Sequence, residues 1–190
     1  MSFKGGKKSN VYESEEGYDM WATNYDESLG FLNSFEKDVF ISFLGDLKGK
    51  CVLDLGCGTG RSINDLIYAG ASDIYGADIS EKMMKIARKR YAEVNFVKAS
   101  AYNLPFDDGK FDTVTATFLL VHLKNLNGAF AEINRVLKNG GKLILTNINQ
   151  KKAPKLKMKD GSQMVIKSFY HMPEKVIEAL EKAFFEVEKE

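Results

Sequence analysis

The chain reads as a doubly wound α/β domain, and three observations predict it. Short apolar runs alternate with amphipathic stretches of helical period. One run, Cys51–Leu55, passes straight into a glycine-rich turn and then a helix. A carboxylate, Asp78, closes the next run eighteen residues beyond the last of those glycines.

Taken in order, residues 1–15 are polar, with Lys4, Lys7 and Lys8 among glycines and serines. They are expected as a flexible arm ahead of a single domain over residues 16–190. Cys51–Leu55 (CVLDL), closed by glycines, predicts a buried strand. Residues 61–68 follow as a helix ending at Gly70, and 73–77 (DIYGA) as a second strand. Ser80 has the chemistry of an N-cap for a helix over 81–91, since its hydroxyl can take a free backbone N–H of the first turn. Residues 94–97 are a third strand, and 111–118 a fourth entered from the turn Asp107-Asp108-Gly109. Over 125–137, Leu126, Ala129, Phe130, Ile133, Val136 and Leu137 recur at helical spacing and stop at Asn139-Gly140-Gly141. Residues 142–148 predict a fifth strand. Pro173 opens a last helix through Ala183, and 184–187 (FFEV) reads as a sixth strand. The stretch 149–172 is irregular and carries Lys151, Lys152, Lys155, Lys157 and Lys159. Alternating strands and helices imply right-handed crossovers and a parallel sheet covered on both faces.

Composition narrows the function. A chain of 190 residues with 44% apolar content fits one core. Its 27 basic and 26 acidic residues leave a net charge of +1, which argues against coating nucleic acid or an anionic membrane by bulk charge. No apolar run approaches a membrane span, and the first residues lack the apolar stretch of a signal peptide, so a cytoplasmic location is expected. Cys51 and Cys57, six apart with no nearby histidine cluster, suggest neither a disulfide framework nor a metal site.

The chemistry concentrates at Gly56-x-Gly58-x-Gly60. Glycines there let the backbone approach a ligand closely and adopt positive φ. Asp78, at the end of the second strand, can accept both ribose hydroxyls of a nucleoside lying across the sheet edge. The third glycine comes one residue earlier than in the dinucleotide fingerprint, and Asp54 stands just before the turn. An acid there repels a pyrophosphate and suits a ligand bearing an ammonium and a sulfonium group. The expected ligand is therefore S-adenosylmethionine (SAM) rather than NAD.

On these segments the chain resembles the class I SAM-dependent methyltransferases. VLDLGCGTG matches that family's first motif and YGADIS its second. The likeness continues through KASAYNLPFDDGKFD, VTATFLLVHL and FAEINRVLKNGGKLIL, and includes YDMWATNYD near the N-terminus, a lead-in found in small-molecule and ubiquinone/menaquinone-type members. The resemblance implies a Rossmann-like sheet of strand order 3-2-1-4-5 plus a sixth strand, with the closing seventh strand absent. It implies that Gly56, Cys57 and Gly58 line the methionine portion of SAM, and that Asp54 orients the turn or meets the ammonium through water. Asp78 becomes the ribose acid, Ile79 packs on the adenine, Ser100 and Ala101 edge it, and Thr117 faces the sulfonium. Tyr18 and Tyr25 either close over the cofactor or merely pack helices. Many relatives carry Asp where this chain has Ser100. An uncovered edge at 184–187 implies a cover from a second copy, a partner chain or the 149–172 segment.

The function expected from this is methyl transfer to a small-molecule acceptor, giving S-adenosylhomocysteine (SAH), beneath a roof of residues 16–32 and 149–172. His122, beyond the fourth strand, is a candidate general base facing the acceptor, with a positioning or packing histidine as the alternative. His171 is a lid or loop residue. The lysines of 151–159 suit a solvated loop, or alternatively an RNA-facing lip. An RNA methyltransferase and a non-catalytic SAM-binding scaffold subunit are the two rival functions.

Overall fold

Alternation of strand and helix from residue 51 onward produces the parallel sheet that the sequence predicts. The computed structural model describes residues 10–28, 30–148, 150–158 and 160–188. The chain opens with β1 (Asn10–Tyr12), α1 (Ser14–Trp21), a 3-10 turn (Ala22–Asn24), α2 (Tyr25–Ser28) and α3 (Gly30–Leu44). Next come β2 (Cys51–Leu55), α4 (Ile63–Tyr68), β3 (Asp73–Asp78), α5 (Glu81–Arg90) and β4 (Asn95–Lys98). β5 (Phe111–Thr117), a 3-10 turn (Leu120–His122), α6 (Leu126–Val136) and β6 (Leu137–Thr146) complete the main layer. Two short strands, β7 (Lys155–Lys157) and β8 (Gln163–Ile166), and the helix α7 (Pro173–Lys182) follow.

Five strands pair in the order β4-β3-β2-β5-β6, every pair parallel. In sequence order that is the expected 3-2-1-4-5. Order reverses beside β2, so the carboxyl ends of β2, β3 and β5 open a crevice. Side chains of a strand alternate between faces, and β2 feeds two cores accordingly. Val52 joins Phe40, Leu44, Ile63 and Leu66 on one face. Leu53 and Leu55 join Phe111, Val114, Phe130 and Ile133 on the other. Each such fully buried side chain contributes about 1.5–3 kcal/mol of transfer free energy. The predicted Ser80 cap is present, its hydroxyl accepting the Met83 N–H at 3.2 Å, and Asn125, read as the first residue of its helix, instead caps it by accepting the Gly128 N–H at 3.2 Å.

Three expectations are corrected. Residues 10–15, read as part of a polar arm, form β1 and the start of α1; residues 1–9 lie outside the described residues. The stretch 149–172 is not wholly irregular. Its β7 and β8 pair antiparallel, and β8 pairs in parallel with β1, making a second, three-stranded sheet. Met164 and Ile166 of β8 are buried against Trp21, and this apolar contact fixes the small sheet over α1. It therefore does not cover the edge of the main sheet. Finally, 184–187 is not a strand. Phe184 takes φ +65°, its N–H bonds to Glu181 O at 3.0 Å, and that of Phe185 returns to Leu180 O at 3.0 Å. Those two bonds are a Schellman closure of α7, so the backbone groups a sixth strand would need are spent on the helix end. Phe185 and Val187 then pack on the main core.

Among the described residues no helix is long and apolar enough to cross a membrane. No cluster of three or more His, Cys, Asp or Glu among them could hold a metal.

Candidate active site

The glycine turn after β2 is shaped by hydrogen bonds to β3. Gly56 and Cys57 both donate their N–H to Ala77 O, at 2.7 and 3.2 Å. Gly56 and Gly58 then sit at φ +74° and +53°, a region L side chains rarely adopt. A Cβ at Gly56 would stand 3.0 Å from Leu119, so the turn is also closed to bulk on that side.

Asp78 completes this turn from β3. Its Oδ2 accepts the Gly58 N–H and its Oδ1 the Ser80 N–H, both at 2.8 Å. Burial raises its pKa above the ordinary carboxylate value, and the backbone donors Ser80, Gly58 and Ile79 pull it part of the way back. A carboxylate has about four lone-pair sites, so acceptor capacity remains for two ligand hydroxyls.

Two further carboxylates tie the N-terminal helices to this loop. Ser80 donates its hydroxyl to Asp19 Oδ1 at 2.6 Å, and the Lys82 N–H donates to the same oxygen at 3.1 Å. Thr59 donates to Asp26 Oδ1 at 2.6 Å, while Arg90 holds the other oxygen at 2.5 Å. Helices α1 and α2 thereby become a lid, and Gly17 lets α1 press on β8. A Cβ at Gly17 would fall 2.8 Å from Ile166 Cγ1.

Beneath the lid lie two adjoining cavities. A narrow cleft of about 130 Å³ is lined by Gly56, Gly58, Asp78, Ile79, Ser100, Ala101 and Thr117. A larger one of about 620 Å³ lies between the lid and the small sheet, walled by Trp21, Val121, Ile148, Leu156, Met158 and Ile166 among others. Tyr18, Tyr25, Phe118 and His122 line both, and so form the wall between them. Taken alone the cleft is smaller than the roughly 300–1,000 Å³ of ordinary ligand pockets, and it adjoins the larger cavity.

That wall carries the polar chemistry. Tyr18 Oη and His122 Nε2 are 2.7 Å apart, and His122 Nδ1 is 3.4 Å from Lys167 O. A carbonyl only accepts, so Nδ1 carries the proton, and Nε2 of the neutral ring accepts the Tyr18 O–H. Burial lowers the His122 pKa, with the Lys167 carbonyl opposing. Burial likewise raises that of Tyr18, helped by the negative fields of Tyr25 and Asp78. Both groups are neutral near pH 7. Phe118 stands beside them with a left-handed backbone, φ +55°, a conformation costing a non-glycine residue about 1–2 kcal/mol. Its N–H bond to Thr146 O at 3.0 Å and the Arg61 guanidinium 4.9 Å over its ring hold it there.

Of the residues singled out in the sequence, Tyr18, Tyr25, Gly56, Gly58, Asp78, Ile79, Ser100, Ala101, Thr117 and His122 meet at the cleft. Asp54 and Cys57 stand behind it. Asp54 is 1% exposed and accepts the Thr115 hydroxyl at 2.9 Å. Cys57 is buried with its sulfur toward Gly76, and burial pushes its thiol pKa up. Thr117 accepts a bond from Arg61 at 3.0 Å. His171 bonds Leu123 O at 2.7 Å, away from both cavities. Trp21, Asn24, Phe118 and the small sheet went unread. Trp21 and Asn24 lie inside the quoted YDMWATNYD, whereas the small sheet had only the alternation in QMVI as a signal.

Residues 53–145 match the family model described as a methyltransferase domain. A demethylmenaquinone methyltransferase of Lactococcus lactis is 31% identical over 152 residues, covering 74% of this chain and 60% of the relative. One from Clavibacter sepedonicus is 39% identical over 109 residues, covering 56% and 44%. The chain spans about half the length of the curated relatives it matches. Among solved structures, the DhpI complex with SAH has the same fold, at TM-score 0.73 and 20% identity over 88% of this chain and 84% of that one. Residues 53–145 thus carry a methyltransferase domain, and the chain has the Rossmann-like fold of the class I SAM-dependent methyltransferases.

Proposed function

We propose that this chain transfers the methyl group of SAM to an oxygen of a small, largely apolar acceptor. The observation that carries this reading is the pair of cavities sharing one wall, with the nucleoside-binding groups on one side and a roomy apolar chamber on the other. The names of the two demethylmenaquinone methyltransferase relatives support a small-molecule acceptor.

The residues present fit the cofactor. Asp78 has acceptor capacity left beyond its backbone donors, and the glycine turn leaves a cradle that side chains would fill. Asp78 would hold the ribose, Gly56 and Gly58 the amino-acid portion, Ile79, Ser100 and Ala101 the adenine, and Thr117 the sulfonium region. When bound, SAM supplies a methyl group on a positively charged sulfur. The protein's own part is alignment, exclusion of water and proton removal. Lid and small sheet wall the chamber on two sides and reduce its access to solvent. Tyr18 donates to His122 Nε2, so a proton leaving an acceptor hydroxyl reaches His122 by way of Tyr18. The Tyr18 oxygen takes that proton as its own passes to Nε2, and Lys167 O steadies the resulting imidazolium.

Calorimetry with SAM, SAH and NAD, followed by transfer from methyl-labelled SAM to small-molecule and RNA fractions, tests the reading. Binding of SAM and SAH with label entering the small-molecule fraction is expected. Tighter binding of NAD, or label entering RNA with steep salt dependence, would sink it.

A further inference from the structure

Asn24 ends the 3-10 turn between α1 and α2 and lines the larger cavity, not the cleft. Its side chain belongs to a residue only 9% exposed. The carboxamide oxygen accepts the Thr23 hydroxyl at 3.2 Å, while the Nδ2 group has no partner among the described residues. Nδ2 thus faces the cavity with its donors unspent, and the same wall holds the Trp21 indole N–H, which is buried without a hydrogen-bond partner among the described residues, a costly arrangement in a folded protein. Other polar groups on this cavity are differently placed. Tyr18 is bonded to His122, while Glu27, Lys155 and Lys157 are exposed. Asn24 therefore presents a neutral donor with spare capacity to the chamber, from a residue only 9% exposed and beside the Trp21 indole N–H.

We infer that Asn24 reads the methyl acceptor, donating from Nδ2 to a neutral carbonyl oxygen on an otherwise apolar molecule. The inference rests on assigning the larger cavity to the acceptor. An amide nitrogen only donates, so its partner is an oxygen with a free lone pair. No buried cation accompanies it among the described residues lining the cavity, so a carboxylate would be left without a countercharge, and a ketone-like oxygen suits the site better. The substrate class is thus a small hydroxylated apolar molecule that carries a carbonyl away from the atom to be methylated.

The chain has one tryptophan, Trp21, and it lines the same cavity, so its indole N–H resonance reports occupancy. Nitrogen-15-labelled protein saturated with SAH is titrated with 4-hydroxyacetophenone and with 4-ethylphenol, which differ by carbonyl against methylene. The ketone should bind wild type roughly five- to tenfold more tightly, the size of one neutral hydrogen bond. That preference should vanish in Asn24→Leu and shrink or invert in Asn24→Asp, whose carboxylate repels a carbonyl oxygen. Equal binding of the pair to wild type, a preference surviving in Asn24→Leu, or a ketone that leaves the indole resonance in place overturns the inference. If Asn24→Leu does not fold, Asn24→Asp decides against wild type: a ketone preference that persists unchanged in Asn24→Asp belongs to the Trp21 indole N–H and overturns the inference. SAH affinity, measured alongside by calorimetry, separates the two readings. Failure of SAH to bind defeats the methyltransferase reading, while normal SAH affinity without discrimination defeats only the role of Asn24.

Discussion

The glycine–carboxylate cleft and the larger cavity beside it are built by opposite means. The cleft draws its glycines and Asp78 from one strand–turn–helix–strand stretch, residues 51–78, whose geometry is set by bonds between adjacent segments. The cavity is assembled from residues 18–27, 118–122, 148–158 and Ile166, joined by a β1–β8 pairing that spans most of the chain. The first is a local device and the second a tertiary one. It follows that the cleft should tolerate damage to the lid better than the cavity does.

The largest expected effect lies on the shared wall. His122→Asn should slow single-turnover methyl transfer by about 10²–10⁴-fold, the usual worth of a general base, with SAH affinity nearly kept. Burial holds the His122 pKa below its ordinary 6.5, so the acid limb of the wild-type rate profile should fall below that pH and disappear in the variant. The unfolded chain takes up this proton near pH 6.5 and the folded one does not. Its contribution to stability is accordingly lost as pH falls from 6.5 towards the lower folded value. A transfer rate untouched by the substitution would leave His122 a wall residue alone.

Next comes the cleft. Asp78→Ala should weaken SAH binding by about 1.5–3 kcal/mol, the scale of hydrogen bonds to a charged group. Ribose hydroxyls favour the carboxylate form, whereas burial in the free protein favours the acid and raises the Asp78 pKa above 3.8. SAH affinity in the wild type should therefore fall as pH drops through that raised value, and Asp78→Asn should flatten the dependence. For folding the sign is opposite. The cost of the buried charge is present above the folded pKa and disappears as pH falls below 3.8. Calorimetry across pH reads the first, and denaturant titration the second.

A smaller effect probes the lid. Gly17→Val puts atoms where Ile166 already lies, 2.8 Å from the first of them, and should destabilise the lid contact by about 1–3 kcal/mol. Binding of small phenols in the cavity should suffer more than SAH binding, and trypsin should cut within residues 150–167 sooner. Equal losses at both sites would erase the contrast between them. Smallest of all, Lys167→Ala removes an exposed ion pair with Glu13, 2.6 Å long, and should change the melting temperature by an amount matching at most about 1 kcal/mol. The Lys167 carbonyl that meets His122 is backbone and survives the change.

Legibility followed the same division. Val52, Leu53, Leu55, Phe130 and Ile133 announced their burial through strand and helix periods, and Ser80 announced its cap. The sixth strand failed because FFEV has strand composition, yet Phe184 accepts a left-handed turn and the helix end captures the amides of Phe184 and Phe185. The small sheet failed because its strands are only three or four residues long and one of its two pairings, β1 with β8, spans more than 150 positions. Lysines at 155 and 157 also made β7 look like solvated loop. His122 could be nominated from its place after a strand, but its bond to Tyr18 joins residues 104 positions apart and leaves no mark in local spacing.

By itself the sequence determined the parallel sheet, its reversal point and the glycine–carboxylate cleft. Those depend on backbone conformation and on contacts between neighbouring segments, which residue type and spacing encode directly. Tertiary structure alone decided the lid, the small sheet above it, the divided cavity and the spare donor of Asn24. Each of these depends on which distant apolar surfaces meet, as Trp21 meets Met164 and Ile166, and so on the packing of the whole chain rather than on any stretch of it.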